Sequence, residues 1–176
     1  MATIWSQSNL SVFNVEGDVV GTATAVGNAV QVFSMTNSVI ENNQVNTGNI
    51  GAELNADVAA VTGSVGLTAA AICNTADLSS DPEWTAMSSN QECRAKDPSA
   101  TINASISGVG GDAVLQAAAI GNNMTFDTNA TELVATNSQL NRSATYATIN
   151  ADISDVAGSV GATAQAVGNS ASIIRY

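Results

Sequence analysis

The chain has 176 residues, with 4 basic and 15 acidic side chains, no histidine and a net charge of −11. Four cations cannot neutralise a phosphate backbone, and without histidine there is no histidine triad and no histidine-bound zinc, so nucleic-acid binding and histidine catalysis are excluded. Hydrophobic residues are 45% of the chain and charged ones 11%, which excludes a disordered acidic tail and leaves a folded chain of small side chains.

Ala, Ser, Asn, Thr and Gly supply 99 of the residues, so backbones must pack close together, as in stacked sheets or solenoid coils. Met1 to Leu10 lacks the apolar run of a secretion signal. The most apolar window, Ala59 to Cys73, is too short to span a bilayer, so no membrane span is expected.

The first repeat begins at Asn9. Four segments align without gaps: 9–28, 55–74, 103–122 and 150–169, with starts 46, 48 and 47 residues apart. Each opens N-x-[DS]-[VI], and a glycine follows at Gly17, Gly63, Gly111 or Gly158. Each closes A-x-A-[VI]-[GC]-N, as in Ala23-Thr24-Ala25-Val26-Gly27-Asn28. Fixed-period self-similarity on this scale is the mark of a repeat architecture. We call these A-blocks.

Within each A-block the paired alanines (Ala23/Ala25, Ala69/Ala71, Ala117/Ala119, Ala164/Ala166) lie two apart. Counting back by twos leads to Val19, Val65, Ala113 and Val160. That period of two places one small apolar row on one face of a strand. Alanine favours helix, but the β-branched neighbours and interrupting glycines favour strand. Gly17 and Gly63 are expected to begin tight turns, and Gly27-Asn28 and Gly168-Asn169 to end the strand with residues tolerant of positive φ.

Between A-blocks lie three looser Q-blocks, carrying Gln44, Gln91 and Gln139 16 or 17 residues after the closing asparagine. An interval of about 47 residues fits one large coil or two coils of about 23. When coils stack, like residues stack too. The sets Asn28, Asn74, Asn122, Asn169 and Gln44, Gln91, Gln139 are therefore candidate amide ladders. The alternative is that these asparagines fill turns.

In the second repeat, Cys73 replaces the glycine of Gly27, Gly121 and Gly168, and Cys93 follows 20 residues later. A bridge between strand end and return is one reading, worth about 3 kcal/mol in the chain-entropy model; two buried thiols is the other. The segment 77–98 holds both prolines, Trp84, Arg94 and Lys96, and is expected to be an irregular loop. It is either a contact loop anchored by Trp84 with Arg94 and Lys96, or a solvated bulge.

Other motifs are weak. The acid pairs Glu16/Asp18 and Asp152/Asp155 lack a calcium-loop spacing and fit solvated turns better. Five N-x-[ST] sequons are expected by chance in so Asn-, Ser- and Thr-rich a chain. Thr22-Ala23-Thr24 does not recur as an ordered threonine array. No catalytic residue, metal ligand or cofactor site is predicted, and the chain is not expected to be an enzyme.

With these blocks laid out, two resemblances emerge. Gln44-Val45-Asn46-Thr47-Gly48-Asn49, followed by Ala52, resembles the Q-x-G-x-x-N-x-A core of the curlin repeat, with asparagine at its first glycine. The A-block is similar to repeats in bacterial surface proteins of the holdfast-anchoring kind. The resemblance implies an extracellular, β-rich, fibre-forming or adhesive protein.

The expected fold is all-β, a β-solenoid or stacked β-arches with four repeats of about 47 residues forming a single domain over 1–176. The expected function is a structural subunit of a self-assembling filament at the bacterial cell surface, serving attachment, adhesion or biofilm matrix. Its expected partners are further copies of itself, head to tail, and a cell-surface anchor or polysaccharide. The first and last repeats are nearly complete, so their strand edges are open to another copy. Ile4, Trp5, Ile173, Ile174 and Tyr176 are the assembly candidates. Two alternatives stand beside this one: a monomeric solenoid that binds ice or glycan, and a polysaccharide-processing β-helix. The latter needs clustered carboxylates with a basic residue, against which the scarce cations argue.

Overall fold

The computed structural model describes residues 3–94 and 96–176. They form strands β1 (Thr3–Val15), β2 (Val19–Ser34), β3 (Ser38–Asn46), β4 (Asn49–Val61), β5 (Val65–Ser80) and β6 (Trp84–Cys93). These are followed by β7 (Ser99–Val109), β8 (Ala113–Thr128), β9 (Glu132–Asn141), β10 (Tyr146–Val156) and β11 (Val160–Arg175). Three parallel sheets result, in the orders β1-β4-β7-β10, β2-β5-β8-β11 and β3-β6-β9. The chain is an all-β, solenoid-like stack. Each period of about 47 residues is one three-sided coil, not two smaller ones.

The A-block is the corner of each coil rather than one strand. Asn9 to Asn28 runs out along β1, turns at Gly17, where φ is +118°, and returns along the first half of β2. The short alanine side chains admit the opposing sheet closely. Ala69, Ala71, Ala117 and Ala119 are buried beside Leu54, Ile102, Leu67 and Leu115 in the main core. A second core lies between the far half of the middle sheet and β3-β6-β9, around Leu78, Met87, Met124 and Phe126. Burying apolar side chains at about 25 cal/mol per Å² makes these rows the main source of stability.

The structure corrects three local readings. The strand does not stop at Gly27-Asn28: β2 runs on to Ser34, and pairing merely skips one position, leaving Val26 with Ile72 and Asn28 with Asn74. The skip reverses which parity faces inward, so Asn74, Ala76 and Leu78 are buried after Ala69 and Ala71. Positive φ appears elsewhere, at Asn14 (55°), Ala60 (56°), Gly108 (63°) and Asp155 (52°). These four stand at the position skipped in the first sheet. Finally, 77–98 is not one irregular loop: it contains the end of β5 and all of β6. Pro82 and Pro98 fall between strands, where no ladder donor is needed.

Candidate functional site

The closing asparagines face inward and join in one line. Asn28 Nδ2 donates to Asn74 Oδ1 (2.8 Å), Asn74 to Asn122 (2.8 Å) and Asn122 to Asn169 (2.7 Å). The glutamines form a second ladder, from Gln91 Nε2 to Gln44 Oε1 (2.8 Å) and from Gln139 Nε2 to Gln91 Oε1 (2.9 Å). Each glutamine also donates to a carbonyl of the middle sheet one coil further on: Gln44 to Thr75, Gln91 to Asn123 and Gln139 to Ser170. Asn74, Asn122 and Gln91 are fully buried, so these bonds satisfy groups that would otherwise be costly.

A third ladder escaped the sequence reading. The asparagines that open each A-block stand on the outer face, with Asn150 donating to Asn103 (3.0 Å), Asn103 to Asn55 (2.8 Å) and Asn55 to Asn9 (3.0 Å). Their strict recurrence was the available signal. At the adjoining turn, acid and serine alternate from coil to coil. Ser64 N–H donates to Asp18 Oδ1 (2.7 Å), Asp112 N–H to Ser64 Oγ (3.2 Å), and Ser159 N–H to Asp112 Oδ1 (2.7 Å). The alternation keeps carboxylates from standing on adjacent rungs. Asp18 and Asp112 thus serve turn geometry, while Asp155 lies within β10 at the left-handed skipped position.

Cys73 and Cys93 are joined by a disulfide, with Cα atoms 6.0 Å apart. Trp84 is half-buried at the start of β6, its backbone N–H donating to Asn37 Oδ1. Arg94 and Arg142 occupy equivalent corners of successive coils and share Glu92, at 2.6 and 2.9 Å. The Arg94 guanidinium, aided by Arg142, holds the Glu92 carboxyl below the usual carboxylate range. Lys96 is exposed just beyond and is not brought onto Trp84's strand.

The assembly candidates lie at the two ends of the stack. Ile4 is half-buried in the inward row of β1, while Trp5 is exposed on the outer face and lies over Gly51. A Cβ on Gly51 would fall 2.1 Å from the Trp5 ring. Ile173 stands in register with buried Phe126, yet is 54% exposed because no further coil covers β11. Ile174 and Tyr176 are exposed beside it. Arg175 donates to the Thr131 carbonyl.

Stacked parallel rungs, joined internally by amide ladders, define a β-solenoid-like repeat protein. The chain belongs to the HfaD family, holdfast attachment protein D, whose model matches residues 1–175. This places it among cell-surface attachment proteins. Neither a curated protein nor a solved structure matches the chain.

Proposed function

We propose that the protein is the structural subunit of a head-to-tail filament that anchors attachment material at the cell surface. The observation that carries this is the polarity of the two asparagine ladders. The inner one donates toward the last coil, leaving the Asn28 oxygen without a donor among the described residues at the first. The outer one donates toward the first coil, leaving the Asn150 oxygen without a donor among the described residues at the last. A second copy stacked in phase, its β1 on β10 and its β2 on β11, matches donor to acceptor in both.

The other columns agree with that junction. Ser159 meets Asp18, continuing the acid–serine alternation. Tyr146 meets Trp5, Ile153 meets Val12 and Ile174 meets Phe33. Trp5, Tyr146 and Phe33 are all more than half exposed in the single chain. A heterologous contact that does not close produces a filament. Arg94, Arg142 and Lys96 gather three of the chain's four cations at one corner and suit contact with an anionic polysaccharide.

The test is a chain carrying Asn9→Cys and Asn150→Cys, oxidised after concentration. Neighbouring rungs stand about 4.8 Å apart, within disulfide reach. In-phase stacking gives a series of covalent multimers on non-reducing gels, and fibres by negative-stain microscopy. A chain that stays monomeric by light scattering from pH 4 to 8 overturns the filament, and a monomeric ice- or glycan-binding module takes its place.

A further inference from the structure

Two glycines stand inside strands where the packing of a single chain does not call for them. Gly66 in β5 and Gly161 in β11 have no positive φ, and a Cβ on either would meet nothing within 4 Å among the described residues. They face outward in one column where valine and glycine alternate from coil to coil: Val20, Gly66, Val114, Gly161. Glycine inside a strand loses side-chain packing and backbone entropy, and it marks a place where another backbone or a ligand comes close. β5 is paired on both edges, so nothing at Gly66 comes from an end of the stack.

The charges around that column follow the same coil-to-coil order. Positions 20–26, 66–72, 114–120 and 161–167, in the first half of the middle sheet, hold no charged residue in a chain of net charge −11. At the bordering turn Asp18, Ser64, Asp112 and Ser159 alternate with the valines and glycines. Past the skipped position the outer face carries Asp77 on the second coil and Asp127 on the third. Asp77 is in register with Thr125 and Asp127 with Ser79, so each has a hydroxyl at its own strand position on the other coil.

We infer that this face receives a second copy of the chain, packed sheet on sheet with its coils running the opposite way. The two-fold axis lies along the strands, between the second and third coils. Rotation about it keeps position along the strand and exchanges second coil for third and first for fourth. Gly66 then receives the partner's Val114, Ala70 meets the partner's Ala118 and Ile72 meets the partner's Ile120. Asp112 meets Ser64 of the partner, Asp77 meets Thr125 and Asp127 meets Ser79. Each carboxylate faces a hydroxyl and none faces a carboxylate. An axis through a coil would instead set Val114 on Val114 or Gly66 on Gly66. The contact is isologous and closes as a pair. Four rungs of 16-residue strand make a face of about 19 by 53 Å, on the order of 1,000 Å² per partner, which is the size of a specific interface. The pair needs no head-to-tail contact.

The test uses the full 176-residue chain, whose native cysteines are bonded to each other with no thiol free. Ala70→Cys and Ala118→Cys are made as separate chains and treated with a short bismaleimide. A mixture of the two is expected to give a covalent dimer, and each alone none. By sedimentation the native chain is expected to dimerise with rising concentration. Gly66→Val is expected to weaken the dimer by about tenfold or more, with circular dichroism and melting unchanged, because its side chain has room in the single chain and not in the pair. Gly66→Val with Val114→Gly moves the knob to the other coil and is expected to restore the native affinity. A chain that stays monomeric, self-cross-linking of either cysteine variant, or a dimer that survives Gly66→Val overturns the inference. A mixed cross-link without head-to-tail multimers removes the filament reading and keeps this one. Head-to-tail multimers without a mixed cross-link do the reverse.

Discussion

The sulfur atoms of Cys73 and Cys93 are bonded at the corner where Gly27 faces Asn46 in the coil before and Gly121 faces Asn141 in the coil after. The two cysteines are therefore one replacement: a glycine–asparagine pair exchanged for a covalent one. The noncovalent pair is tight. A Cβ on Gly27 would lie 1.8 Å from Asn46 Nδ2, and one on Gly121 2.6 Å from Asn141 Nδ2. Asn46 Nδ2 reaches the Cys73 carbonyl at 3.3 Å, and its Oδ1 takes the Gly48 N–H at 2.8 Å.

This equivalence predicts that Cys73→Gly with Cys93→Asn keeps the β spectrum in circular dichroism and loses all sensitivity to reductant. In the native chain, reduction lowers unfolding free energy by about 3 kcal/mol, the value for a loop of this size. Urea titrations with and without reductant measure both. A double variant that is unfolded while Cys93→Ser remains folded shows that the corners are not equivalent.

The inner and outer asparagine ladders have the same geometry and differ in burial, so they are expected to differ in energy. Asn74→Ala strands a half-buried donor on Asn28 and a fully buried acceptor on Asn122, at about 2–4 kcal/mol. Asn55→Ala breaks two bonds on the outer face, where water replaces them, at about 0.5 kcal/mol. Denaturant midpoints of the two variants decide it, and equal losses refute the distinction.

The left-handed column places Ala60 at φ 56° between Asn14 and Gly108. A left-handed non-glycine residue costs about 1–2 kcal/mol, partly offset by the entropy a glycine loses on folding. Ala60→Gly is therefore expected to raise the melting temperature by a few degrees and Gly108→Val to lower it by more. A Cβ on Gly108 meets the Ala60 backbone at 3.4 Å, ordinary contact, so the loss comes from conformation rather than crowding. Thermal melts give the sign of each.

Glu92 binds Arg94 and Arg142 on successive coils, and its folded pKa is lowered chiefly by the hydrogen bond from Arg94. A lowered carboxylate pKa contributes stability above the unfolded value, and that contribution disappears as pH falls through the folded one. The melting temperatures of the native chain and Glu92→Gln should thus differ at neutral pH and converge in acid, below the ordinary carboxylate range. A difference that is constant with pH rejects the assignment.

Charge also governs association in the proposed filament. Each chain carries −11, and its sequence pI is about 4.1. Self-repulsion falls in acid and is screened by salt, so growth should speed up under both conditions. Ile173→Asp with Ile174→Lys should leave circular dichroism unchanged and stop growth. Light scattering over pH 4 to 8 and low to high salt checks both outcomes.

The chain's own pattern determined the strand class, the repeat and the inner ladders, because a period of two and a recurrence near 47 are local or self-similar properties. Identical residues at a fixed interval must stack when coils stack, so Asn28 to Asn169 and Gln44 to Gln139 were legible without coordinates. The partition of each repeat into three sides was not, because one apolar row reads alike in a strand that ends and a strand that bends. Only packing decides that β2 passes Gly27 and reverses its inward face, since that reversal depends on Asn46 arriving from another strand. The left-handed column was half hidden: Asn14, Gly108 and Asp155 are residue types that tolerate positive φ, but Ala60 at the same repeat position is not, and only the skipped position in the first sheet gives all four one conformation.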